Sequence, residues 1–145
     1  MILKSQIMPL MLARCPGFQA LWKEHLEFWQ GEEAGIYNDL SEFATFIVDA
    51  YARQDTEPII AAFATIEELL IEGDEEVRTA ASIGFLEDIQ TIASNRPFKA
   101  AVFVQWLGPK SKEAWAEIQE MWRVRNSLAD VVRAEVQALK NKKKS

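Results

Sequence analysis

EGDEEVRTAASIGFLEDIQ, residues 72–90, is the stretch that decides the fold. Gly73 reads as the residue that ends one helix, using glycine's access to the left-handed conformation. Asp74 follows at once and supplies the side-chain oxygen that caps the next helix, while Glu75 and Glu76 place negative charge in its first turn, where the helix dipole favours it. Val77, Ala81, Phe85, Ile89 and Ile92 then fall on one arc, the first four of them four residues apart, which is the mark of one buried helical face. Two helices joined this tightly must fold back on each other, so the stretch predicts an αα-hairpin over about residues 57–93.

Working outward, the first arm of the hairpin is TEPIIAAFATIEELL. Thr56 is expected to cap it and Pro58 suits its first turn. Ile59, Ala62, Phe63, Ile66, Leu69 and Leu70 point inward, and Thr65, Glu68 and Glu72 outward. After the hairpin, Asn95 and Pro97 repeat the cap-and-proline start for FKAAVFVQWL. GPKS ends that helix and opens a long final one, from about Ser111 to Leu139.

Toward the N-terminus, a short helix within residues 2–14 is disturbed by Pro9, and CPG at 15–17 breaks the chain. FQALWKEHLEFWQ aligns Phe18, Leu21, Trp22, His25 and Trp29 on one face. A third helix runs from Asn38 or Asp39 to Arg53, with Leu40, Phe43, Ile47 and Tyr51 inward. No segment alternates with a period of two, so the expected class is all-α: an irregular bundle of six or seven helices containing the hairpin and a long C-terminal helix. The hairpin's second arm looks like the second helix of a HEAT-type repeat, but one unit does not make a solenoid. The expected organisation is a single helical domain over residues 1–139, followed by a lysine-rich tail over 140–145.

The chain has 145 residues and a net charge of -6; setting aside the four lysines of the tail leaves 12 basic against 22 acidic residues, a body of -10. An acidic surface repels nucleic acid and anionic lipid and favours basic partners. A single cysteine, Cys15, closes no intramolecular disulfide and fits a reducing, cytoplasmic setting. No run approaches the roughly 18 apolar residues of a membrane span, and MILKSQIMPLMLARC lacks the cleavage site of a signal peptide.

Catalytic signatures are absent. The lone His25 has no histidine or Glu-x-x-His partner for a metal, and Cys15 with His25 has none of the spacing of a nucleophile and its base. Six glycines standing singly form no phosphate loop. Glu67, Glu68, Glu72, Asp74, Glu75 and Glu76 could gather oxygens for Mg²⁺ or Ca²⁺, although capping and solubility explain them too. Arg78 and Asp88 fall on the apparent buried arc and need partners, and Arg78 can reach Asp74 or a carboxylate of a neighbouring helix. Glu87 and Gln90 point away. Five tryptophans are many for this length, and Trp22 and Trp29 share a face that suits an interface.

Three stretches, ARCPGFQALWKEHLEFW, EGDEEVRTAASIGFLEDIQ and LGPKSKEAWAEI, in this order and spacing, resemble a family of small bacterial helical domains of unknown function. The resemblance covers about residues 8–122. It implies an all-α fold, a bacterial cytoplasmic setting and no cofactor, with some members acting as immunity proteins beside toxins. The expected function is therefore a non-enzymatic binding protein, most concretely an immunity-type inhibitor of a basic toxin or effector. Its candidate binding residues are Arg78, Asp88, Glu87, Gln90, Glu72, Asp74, Trp22 and Trp29; no metal, nucleic acid or membrane is expected. The alternatives are a small-ligand or divalent-metal site on the hairpin carboxylates, and a homodimer in which the long C-terminal helix pairs with its twin through Trp115, Trp122 and Leu128.

Overall fold

The computed structural model describes the backbone of residues 1–144 and the side chains of residues 1–143. All regular elements among them are helical: α1 (Ile7–Arg14), α2 (Gln19–Phe28), α3 (Ile36–Ala52), α4 (Thr56–Glu72), α5 (Glu75–Thr79), α6 (Glu87–Ser94) and α7 (Pro109–Lys144). Short 3₁₀ turns occupy Lys4–Gln6, Pro16–Phe18 and Ala100–Trp106. The chain divides into two compact units, Met1–Trp115 and Ala116–Ser145, and α7 contributes to both.

In the first unit α3 is the central element, packing against α2, α4 and the second arm of the hairpin. Its buried side chains include Leu40, Phe43 and Ile47. From α4 come Ile59, Ala62, Phe63, Ile66 and Leu69, as the helical period predicts. Thr65, expected outside, is buried: its hydroxyl donates to the Ala61 carbonyl (2.8 Å) and accepts from Arg14 (3.2 Å), so its polar group is satisfied within the core. Leu21, aligned by spacing with Phe18 and His25, lies exposed.

The hairpin forms with a two-residue link, and Asp74 caps it as anticipated, accepting from the Val77 amide at 2.9 Å. Gly73 departs from expectation. Its backbone is extended (φ -80°, ψ 157°) rather than left-handed. It forms a parallel bridge with Ile2, whose amide donates to the Glu72 carbonyl (2.8 Å) and whose carbonyl accepts from Asp74 (3.3 Å).

The second arm is a single helical run from Glu75 to Ser94 whose middle, Ala80–Leu86, is a π-helical turn. That wide turn explains the four-residue repeat. In a straight α-helix twelve residues from Val77 to Ile89 would rotate a side chain about 120° off the starting face. With the π turn, Val77, Ala81, Phe85 and Ile89 all stay buried. Gly84 lies within it, and a Cβ there would stand 3.0 Å from Leu40 and 3.3 Å from Tyr37, so its lack of a side chain lets α3 approach.

Several helix boundaries differ from the sequence reading, and α3 already begins at Ile36. No side chain caps α4, which starts at Thr56 itself with Asp55 before it. Asn95 closes α6 instead of opening the next element, and the 3₁₀ turn begins only at Ala100, after Lys99 at φ 63°. Helix α7 starts at Pro109, where proline's missing amide costs nothing, and continues through the tail lysines. Its first turn is fastened to α4: Glu67 accepts from the amides of Lys110 and Ser111 and from the Ser111 hydroxyl, each at 2.9 Å.

Candidate functional site

The loop between α2 and α3 borders two concave surfaces of the first unit. Gln30, Gly31 and Gly35 all have positive φ (50°, 83° and 90°), so the chain curls tightly after Trp29, and Glu32 and Glu33 lie on this curl. Beneath it lies a cleft of about 620 Å³, whose walls include Trp22, His25, Trp29, Glu32, Glu33 and Asp39. A second hollow of about 360 Å³ shares His25 and Trp29 and is bordered by Glu24, Phe28 and Glu42. His25 is the pivot of both.

His25 is nearly fully buried, and its Nε2 lies 2.8 Å from Asp39 Oδ1. A carboxylate accepts, so Nε2 carries the hydrogen, and in the neutral ring Nδ1 keeps the lone pair. Trp22 and Trp29 flank the imidazole, with ring centroids at 5.5 Å and 6.4 Å. The two tryptophans stand in the cleft wall beside the histidine, and His25 packs where the aromatic stripe placed it. Sequence reading missed Asp39 as a site residue. Its only signal is an acidic residue in the first turn of α3, which the helix dipole explains without any partner.

Electrostatically the cleft is acidic. Lys4 also lines it, but its ammonium is bound to Glu76 at 2.9 Å, which leaves Glu32, Glu33 and Asp39 without an equal positive charge. Ser5 borders the same space, yet among the described residues it makes no hydrogen bond to His25. Among the described residues no hydroxyl stands in hydrogen-bond contact with the His25–Asp39 pair. Cys15 is no substitute: it is buried, its Sγ faces the Pro58 carbonyl at 3.6 Å, and burial pushes the thiol up to about 11.

None of the hairpin residues proposed for binding lines either hollow. Arg78 is exposed rather than on the buried arc, and donates to the Gly73 carbonyl (2.9 Å) instead of a carboxylate. It closes the end of α4. Asp74 is the cap, Glu72 offers its carbonyl to Ile2, and Gln90 does not point into solvent but donates to the Trp115 carbonyl at 3.2 Å. Among the described residues no group of three or more His, Cys, Asp or Glu is gathered to hold a metal.

Asp88 is the exception, a half-buried carboxyl that burial, helped by the charge of Glu87, pushes up to about 6. Glu67 moves the other way: burial would raise it, but the hydrogen bonds from Lys110 and Ser111 outweigh that and hold it below the ordinary carboxylate range. The two give opposite pH slopes. Asp88, raised, penalises the fold above pH 6 and ceases to do so as pH falls toward its unfolded value near 3.9; Glu67, lowered, stabilises above its unfolded value near 4.3 and loses that below it. Urea denaturation at pH 7 should show Asp88→Asn stabilising by about 1 kcal/mol and Glu67→Gln destabilising by about 1–2 kcal/mol. Both differences should shrink in acid, that of Asp88 between pH 6 and 4 and that of Glu67 below about pH 4; a slope of the wrong sign for either residue would refute its assignment.

The fold is all-helical, and its first unit carries an acidic, aromatic recess. The chain belongs to the family described as Domain of unknown function (DUF7674), whose model matches residues 8–123. No curated protein and no solved structure matches it. Among the described residues no helix is long and apolar enough to cross a membrane.

Proposed function

We propose that the protein is a non-enzymatic docking module for a basic protein partner, and in its most specific form an immunity-type inhibitor that occludes a toxin or effector. The observation that carries this reading is the 620 Å³ cleft, in which two indoles stand beside three carboxylates while the one lysine is already paired. An arginine or lysine side chain entering there would meet an aromatic face and opposite charge together, which is how such recesses hold cations. The net charge of -6 extends the same preference over the surface and would speed and orient association.

The test is titration of the chain with arginine-rich and glutamate-rich peptides of equal length, followed by tryptophan fluorescence at low and moderate salt. The basic peptide should bind and weaken with salt. Trp22→Ala and Asp39→Asn should each loosen it by about 10-fold, or about 1.4 kcal/mol. Equal binding of both peptides, or indifference to both substitutions, would overturn the cleft as the docking site. The immunity form is tested by co-expression with the product of an adjacent toxin-like gene, which this protein should neutralise and Trp22→Ala should not.

A further inference from the structure

Beyond Trp115 the described residues form one helix, the remainder of α7, and it carries a row of exposed apolar side chains. Val124, Leu128, Val131, Val132, Val136 and Leu139 are all between 43% and 61% exposed. The polar side of this segment is served within the helix, by Glu120 with Arg123, by Asp130 with Arg133, and by Arg125 over the Trp122 ring at 5.2 Å. Four valines in so short a stretch lower helix propensity, so intrinsic preference does not account for the row. An exposed apolar row on an otherwise satisfied helix marks an association surface.

The order of residues along the row identifies what covers it. About residue 130 the segment has mirror-like symmetry: Leu128 matches Val132 and Val124 matches Val136, while Glu120 matches Lys140 and Glu117 matches Lys143. Two copies laid side by side in opposite directions therefore bring apolar residues onto apolar residues in the middle and acidic onto basic at both ends. Two copies in the same direction would set glutamate beside glutamate and lysine beside lysine. A partner of uniform charge would match only one end. We infer that residues 117–143 of α7 form an antiparallel, two-fold symmetric pairing surface for a second copy of this chain. Such a contact uses the same patch on both copies and closes on itself. It differs from pairing through Trp115, which is buried in the first unit. It is also independent of the cleft, so either can fail without the other.

The experiment is sedimentation equilibrium of the full chain from low concentration to ~100 µM, a range in which a modest dimer is resolved by mass action. A dimer is expected. Leu128→Glu should raise its dissociation constant at least ~30-fold, with circular dichroism reporting retained helix. Glu117→Lys alone should raise it ~10-fold, because both ends of a symmetric pair are affected, and adding Lys143→Glu in the same chain should restore it. These two positions lie about 39 Å apart along one helix and cannot compensate within it. A wild-type chain that stays monomeric throughout, or a charge reversal that the second substitution fails to rescue, would overturn the proposal.

Discussion

Replacing Phe85 with alanine should lower the unfolding free energy by about 4 kcal/mol, in the upper range for a fully buried aromatic. Phe85 has no exposed surface and joins two halves of the core: its ring is 5.7 Å from Phe43 and 5.5 Å, edge-on, from Phe63. From Phe43 the contacts run on to Phe18 at 5.1 Å, and from Phe63 to Phe103 at 5.9 Å. Removing Phe85 therefore empties the junction rather than one end of a chain of rings. Neighbours cannot slide in easily, since the residue stands in the π turn whose backbone already holds Gly84 against Leu40. Phe85→Leu keeps part of the volume and should cost about half as much. Urea denaturation would measure both, and a loss below about 1.5 kcal/mol for the alanine variant would show that the site collapses and that Phe85 is not the junction.

The all-α class, the hairpin and most of the core could be read from the sequence because they depend on local periodicity, and periodicity is a property of neighbouring residues. Phe43, Ile47, Phe63 and Phe85 are buried where the period puts them. Arg78 was misplaced by the same method: one step round the helix from Val77 separates full burial from exposure, and a wheel does not resolve so narrow a margin. The π turn has no sequence rule comparable to a cap, so its effect, a four-residue repeat held on one face, was visible while its cause was not. Thr65 reads as a polar surface residue until Arg14, fifty-one positions away, turns out to be its partner.

The candidate cleft divides in the same manner. Trp22, His25 and Trp29 share a face because they are three and four residues apart, and that part was legible. Asp39 belongs to the next helix, and only the positive-φ loop at Gln30, Gly31 and Gly35 brings its carboxylate to the imidazole. Composition suggested an acidic binder; the loop decides where the acid collects. Four of the six carboxylates around the hairpin link prove to be occupied: Asp74 caps Val77, Glu76 and Glu68 pair with Lys4 and Arg14, and Glu67 fastens α7. A dense acidic run is thus weak evidence for a site when helix ends lie within it, because helix ends consume acidic groups.

Gly73→Ala should destabilise the protein by about 3 kcal/mol, although alanine is a common and usually mild replacement. The reason is space and not backbone freedom, since φ at Gly73 is -80° and any residue adopts it. A Cβ there would meet Val77 Cγ1 at 2.4 Å and the Leu69 carbonyl oxygen at 2.5 Å. Val77 is wholly buried at the start of the second arm, and the Leu69 carbonyl belongs to the last turn of α4 and already accepts the Gly73 amide at 2.9 Å. Neither can retreat without loosening one arm of the hairpin. The clash also acts on Ile2, which pairs with the same link, so hydrogen exchange at the Ile2 and Asp74 amides should accelerate along with the global loss. Enlarging the link at Val77 discriminates the cause: Val77→Ala alone should cost about 2 kcal/mol through its cavity, but combined with Gly73→Ala the total should fall short of the sum by at least 1 kcal/mol, because the first removes the atom the second collides with. Strict additivity in that cycle, or a Gly73→Ala protein as stable as the parent, would mean that glycine is there for some reason other than the close approach of Val77.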